Sequence, residues 1–418
     1  MNKVKALALT AALLAQGGIV MRAQNAICSL DSCLKVALDS SLTVRASTLE
    51  ALKAKDMEST YLEFDPTEIT LAQDPTSGGS PDNSLSVTQS FSMPSVYRSR
   101  HKQLKAQTSV ARARAQLSRG ELAMQVTSAY YTLLRQRATC QLLQRQDSIY
   151  DNFCRIATSK HTNGEASALE RMNAEREQKE NKLDLANALN DYDQAHSQLQ
   201  MLLNTSRPIV PQEPDLQPIG HGNALAAFDA SATMADSVSA LEVKASELEL
   251  SCTKKEYLPS VSVSLRGQLL IKGFNPYNVD RERFTKGNFM GFELGVSVPL
   301  SFGALRGKVR AAQRDVEAAK LNRMQQAASM ENAHKQLLNE YAKAKQAVDY
   351  YTGTGLPQAA EMERLSQLSY TNGEIDYTEL TQNLKSAIDV RMSAIEAIDR
   401  YNQVVIKLNY INGNTISN

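Results

Sequence analysis

The sequence predicts an α+β membrane protein made of a duplicated helix–strand–strand–helix–helix unit, with four strands in each chain. Three observations lead there. The chain is written twice, at a spacing of about two hundred residues. Its candidate strands alternate strictly between apolar and polar side chains. The segments that follow them run for tens of residues without proline, far longer than a globular helix.

Taken in order, the elements begin with an export signal. Lys3 and Lys5 precede an apolar run from Ala6 to Ala15, and Ala23 offers a small residue for cleavage before Gln24. This is the pattern of a secretory signal, too short and wrongly flanked for a membrane span. No later stretch approaches the ~20 apolar residues of a spanning helix. The organisation expected is residues 1–23 signal peptide, 24–204 first repeat, 205–222 linker, 223–412 second repeat and 413–418 tail. The 418 residues carry 46 basic and 45 acidic side chains, a net charge of +1, which gives no support for a nucleic-acid partner. Of the five cysteines, Cys28 and Cys33 are close enough in sequence to pair in an oxidising compartment, and a lipidated Cys28 is the alternative. Cys140, Cys154 and Cys252 read as helix-packing residues.

The duplication is plain at Thr162-Asn163-Gly164-Glu165, which recurs as Thr371-Asn372-Gly373-Glu374. Tyr192-Asp193-Gln194 and Leu199 return in register as Tyr401-Asn402-Gln403 and Leu408, and Ala106-Gln107 falls opposite Ala312-Gln313. Between the halves, Pro208, Pro211, Pro214 and Pro218 make an extended linker. In the first half, residues 30 to about 58 read as one helix with Asp31 as N-cap. Residues 98 to about 158 form a second of roughly 60 residues, or ~90 Å. The turn at Asn163-Gly164 reverses the chain, and the helix from 166 to 203 runs back. The second half repeats this from Arg306, with Gly353, Gly355 and Pro357 breaking its long helix before the turn at Asn372-Gly373.

The strands are expected near 61–72, 84–93, 260–271 and 289–298. Leu85, Val87, Phe91 and Met93 alternate with serines and a threonine; Val261, Val263, Leu265, Leu269 and Ile271 alternate with Ser260, Ser262, Ser264, Arg266 and Gln268; and Met290, Phe292, Leu294, Val296 and Val298 alternate with Phe289, Gly291, Glu293, Gly295 and Ser297. Such strands fit a soluble sheet over a core, or a membrane barrel that is apolar outside and polar inside. The polar faces read as small and uncharged, as suits a lumen wall. Aromatic residues also gather at the strand ends: Tyr61, Phe64, Tyr97, Tyr257, Phe274, Tyr277 and Phe302. Both features favour the barrel. Four strands cannot close, two chains would give a filled barrel, and three chains would leave a bore.

With these residues in place, the chain resembles the TolC-like outer membrane efflux proteins, from about Leu30 to Asn412. The resemblance is most specific at Tyr370-Thr371-Asn372-Gly373-Glu374-Ile375-Asp376-Tyr377, followed by Leu380 and Ala387, and again at Val296-Ser297-Val298-Pro299-Leu300 before Gly303. It implies a homotrimer in the bacterial cell outer membrane. Its twelve-stranded barrel would continue as a long periplasmic α-helical barrel. The partners implied are a periplasmic adaptor (membrane fusion protein), an inner-membrane resistance-nodulation-division or ABC transporter, and outer-membrane lipid. The resemblance makes Asn163, Gly164, Glu165, Tyr370, Asn372, Gly373 and Glu374 the adaptor-docking tips. It makes Glu170, Asp376 and Glu379 an acidic periplasmic gate. The tips depart from the family pattern: polar residues flank both glycines, His161 replaces the tyrosine in the first half, and Ile375 replaces an arginine found in some members.

No enzyme chemistry is expected. His101, His161, His196, His221 and His334 are scattered, and neither a two-histidine metal motif, a nucleophile elbow nor a phosphate loop is present in the sequence. No catalytic residue, metal ligand or cofactor is assigned. The function expected is the outer-membrane channel of a tripartite efflux or type I secretion system; the alternative is a periplasmic coiled-coil adaptor or structural protein of a transport complex. The cargo, whether drug, metal cation or peptide, is not encoded legibly.

Overall fold

A computed structural model describes residues 29–75, 81–222, 224–269 and 290–413. The expected signal peptide, Cys28, the outer part of the 74–81 turn, and Phe274, Tyr277 and Phe289 lie outside the described residues. Two compact units emerge, and neither is one sequence repeat. One comprises residues 45–118 and 229–332; the other comprises residues 1–44, 119–228 and 333–418.

The elements are α1 (Leu30–Ser40), α2 (Leu42–Met57), a 3-10 turn (Glu58–Leu62), β1 (Glu68–Pro75), β2 (Pro81–Ser92), α3 (Pro94–Thr162) and α4 (Ala168–Leu203). After the linker come α5 (Met234–Lys255), β3 (Ser260–Leu269), β4 (Met290–Ser297), α6 (Phe302–Tyr350), a π-helical stretch (Tyr351–Gly355), α7 (Leu356–Thr371) and α8 (Tyr377–Ile411). The expected order holds, with local corrections. The first helix is two, because Ser41 adopts extended backbone (φ −61°, ψ 127°). Its N–H closes α1 on the Ala37 carbonyl while its hydroxyl accepts from Val44 N–H to open α2. The N-cap of α1 is Ser29, not Asp31: its hydroxyl accepts from Ser32 N–H. β1 starts later than expected, and Tyr61 lies in the 3-10 turn before it. Gly353 and Gly355 do not end the second long helix. They widen it into the π stretch, after which Pro357 is tolerated in the first turn of α7.

In the first unit the strands form an antiparallel meander, β1-β2-β3-β4, with both edges open among the described residues. Register aligns like with like. On one face Ile69 lies opposite Val87, Val87 opposite Leu265, and Leu265 opposite Phe292. On the other, Glu68, Thr88, Ser264 and Glu293 form one row across the sheet. The Thr88 hydroxyl donates to that of Ser264 at 2.9 Å along it. The polar face is therefore not wholly uncharged, as the sequence reading had it: Glu68, Arg266 and Glu293 stand on it. The apolar face bears on the choice between a soluble sheet and a barrel. Ile69, Leu71, Leu265, Met290, Phe292, Leu294 and Val296 are all exposed, Met290 to 86% and Phe292 to 76%. Burying each such side chain is worth ~1.5–3 kcal/mol. A soluble sheet would cover this face with its own core; among the described residues nothing covers it. At the helix-bearing end of the sheet, Phe64 packs edge-on against Phe91 (5.4 Å) and Tyr97 (5.8 Å), an aromatic cluster at that end.

In the second unit the core is built from α1, the middle of α3, the end of α4, the linker, the end of α6 and the end of α8. Tyr130, Leu133, Leu199, Leu203, Val405 and Leu408 are its most deeply buried members. The linker is extended but packed rather than free. Ile209 and Leu216 are buried, and Arg137 donates to the Pro211 and Glu213 carbonyls. Asn402, fully buried, accepts from Ile219 N–H and donates to the Gln217 carbonyl, both at 2.9 Å. Cys33 is buried in this core, and Cys140 donates its thiol to the Ala188 carbonyl, a packing role as expected.

Candidate functional site

The two helical hairpins end in turns of one design. Where α3 ends, Glu165 N–H donates to the Lys160 carbonyl and Gly164 N–H to that of His161. Where α7 ends, Glu374 N–H donates to Ser369 and Gly373 N–H to Tyr370. This paired closure is the Schellman motif, which needs a left-handed residue at the second-last donor. Gly164 (φ 76°) and Gly373 (φ 78°) supply it. A Cβ at either would touch nothing within 4 Å, so the demand for glycine is conformational, not steric. Asn163, Gly164, Glu165, Asn372, Gly373 and Glu374 are all exposed. Glu374 is held by its own turn, accepting from the Ser369 hydroxyl at 2.8 Å.

Tyr370, grouped with those surface residues by the sequence reading, is placed differently. Its side chain is buried with Phe153, Ala157, Ala174, Tyr377, Leu380 and Leu384, a cluster drawn from all four tip helices. Its ring meets Phe153 and Tyr377 edge-on at 6.0 and 6.4 Å, and the Lys160 ammonium sits 4.6 Å from the ring centre. Burial also pushes the Tyr377 phenol up from its ordinary range. Tyr370 thus packs the two hairpins against each other at the tip. Its counterpart His161 is half-buried, with Nδ1 3.1 Å from the Ala166 carbonyl oxygen, closing only its own turn. Ile375, at the place of the family's arginine, packs against the tip cluster.

The acidic residues have a local role that the sequence reading missed. Ser167 and Asp376 are N-caps: the Ser167 hydroxyl accepts from Glu170 N–H at 3.1 Å, and the Asp376 carboxylate accepts from Glu379 N–H at 2.8 Å. Glu170 and Glu379 thus stand at the third position of their helices, where a carboxylate favours the positive helix end. The signal was available: Ser167-x-x-Glu170 and Asp376-x-x-Glu379 both have the capping-box spacing. Glu170 is half-buried, while Glu379 and Asp376 are exposed. Among the described residues no group of His, Cys, Asp or Glu is placed to hold a metal ion, and no helix is long and apolar enough to cross a membrane.

The fold and its tips define a class: helical hairpins joined to a small membrane-type sheet. Residues 38–205 match the model of the family described as outer membrane efflux protein. Among solved structures, CusC superposes with a TM-score of 0.76 at 14% identity, covering 92% of each chain. The Neisseria gonorrhoeae MtrE outer membrane channel gives 0.73 at 16% identity, over 93% of this chain and 89% of that one. The Vibrio cholerae outer membrane protein VceC gives 0.70 at 14%, over 93% and 97%. The search of curated proteins returns no match. Residues 38–205 thus carry the sequence pattern of the outer membrane efflux proteins, and the described chain has the fold of these solved channels.

Proposed function

We propose that this chain is one protomer of a homotrimeric outer-membrane channel. In this reading it serves a tripartite efflux or type I secretion system, passing substrates delivered by an inner-membrane transporter and a periplasmic adaptor. The observation that carries the reading is the sheet: four strands, a bare apolar face and two open edges. Because neighbouring strands are antiparallel, β4 of one copy can lie beside β1 of the next without reversing direction. Three copies then give twelve strands around a bore lined by the serine-rich face. Strands of 8 to 12 residues suit the ~9–11 that a tilted membrane strand needs. Outer-membrane fractionation with heat-modifiable migration tests this. A soluble periplasmic form would instead favour a coiled-coil adaptor.

Within that reading the exposed turns Asn163-Gly164-Glu165 and Asn372-Gly373-Glu374 are the adaptor's docking points. Glu170 and Glu379, with Asp376 beside them, are the acidic gate at the periplasmic end. Three copies of each acid around one axis favour cations and repel anions. Their mutual repulsion would be relieved by a bound cation or by protonation.

A further inference from the structure

Beside the tip cluster, with which it shares Leu384, α3, α7 and α8 line a partly open cavity of about 240 Å³ to which the channel reading gives no role. One side is aliphatic: Leu142, Ile149, Leu384 and Ile388. The other is polar: Arg145, Gln146, Glu363 and Arg391. Arg391 is ion-paired with Glu363, which neutralises both. Arg145 is exposed and has no ion-pair partner among the described residues, so it offers a cationic group on the solvent side of the lining. Gln146 is only 6% exposed, and its side-chain Oε1 is buried without a donor. A buried acceptor of this kind is unfavourable until a donor reaches it.

An occupant matching all three features must be an anion, carry a hydroxyl near its charge and present an alkyl body. The volume is below the ~300 Å³ at which drug-sized pockets begin, so the body is short. We propose that this cavity binds a medium-chain hydroxycarboxylate. The carboxylate takes the Arg145 guanidinium, the hydroxyl donates to Gln146 Oε1, and the chain lies against the four aliphatic side chains.

The test uses the full-length protein in lipid nanodiscs, since detergent would compete for an amphipathic site. Calorimetric titration compares 3-hydroxydecanoate with decanoate. The site predicts saturable binding, with decanoate about tenfold weaker for want of one hydrogen bond to a buried acceptor. Thermal melting of the wild type should rise with the hydroxy acid. Gln146→Leu should erase the difference between the two acids, Arg145→Gln should weaken both, and Ile388→Trp should fill the cavity and abolish binding while helical circular dichroism is retained. Absence of saturable binding to the folded wild type would overturn the proposal. So would equal affinity for the two acids, or undiminished binding by a folded Ile388→Trp variant.

Discussion

The two hairpin tips share a backbone and differ in what they are fastened to. Both turns close by the same pair of hydrogen bonds over a left-handed glycine, and both returning helices open on a side-chain cap. At the second tip, however, Tyr370 reaches inward to Phe153 on the first hairpin, while at the first tip His161 stays within its own turn. The helices leading to them differ too. The repeat offset is 206 at Ala106 and Ala312 but 209 at Gly164 and Gly373, and the second helix alone contains a π-helical stretch. A wider turn takes up added residues without ending the helix. Duplication thus preserved the turn chemistry and let the packing diverge.

The strongest way to break this comparison is to truncate the two counterparts. Tyr370→Ala should cost ~3–5 kcal/mol of local stability, the scale for losing a buried aromatic ring, whereas His161→Ala should cost far less. Hydrogen exchange at α7 and α8 reads the difference, and equal effects would show that Tyr370 is not the fastener. Next come the glycines. Gly164→Val and Gly373→Val should each cost about 1–2 kcal/mol through backbone strain alone. Gly373→Asn should be nearly neutral, since asparagine tolerates the left-handed region and nothing crowds the site. Crosslinking to the adaptor should fall with Gly373→Val and survive Gly373→Asn. Smaller still, Ser167→Ala and Asp376→Ala should each remove about 1 kcal/mol from the start of a helix. Matched losses in melting curves would sharpen the view that the two residues are equivalents. The smallest stability effect belongs to Glu170→Gln with Glu379→Gln. That pair should leave folding nearly untouched but lower cation preference and divalent block in planar bilayers; unaltered selectivity would remove the acids from the gate and leave them as capping residues.

Much of the fold was legible because two periods write themselves strongly into sequence. Alternation at a spacing of two survived intact, and the observed register sets Val87 against Leu265 and Leu265 against Phe292. The glycine turns were legible because few residues tolerate positive φ. The breaks were not. Ser41 interrupts a helix by competing for backbone groups with its own hydroxyl, a choice no periodicity records. Gly353 and Gly355 announced an interruption, but whether a glycine ends a helix or widens it depends on the packing around it; Val390 and the Tyr351 ring lie against Gly355 here. The packing of Tyr370 was not legible, since the ring it meets, Phe153, is about two hundred residues away in sequence. The glutamates carried a capping signature that was overlooked beside their more attractive reading as a gate.

The central claim is that a sheet with two open edges and a bare apolar face is one third of a membrane barrel. The mass of the complex extracted from the outer membrane in mild detergent, measured by native mass spectrometry after detergent removal, tests it most directly. The account predicts a complex of three chains of this sequence. A single chain, or a protein recovered only from the soluble periplasmic fraction, would contradict it.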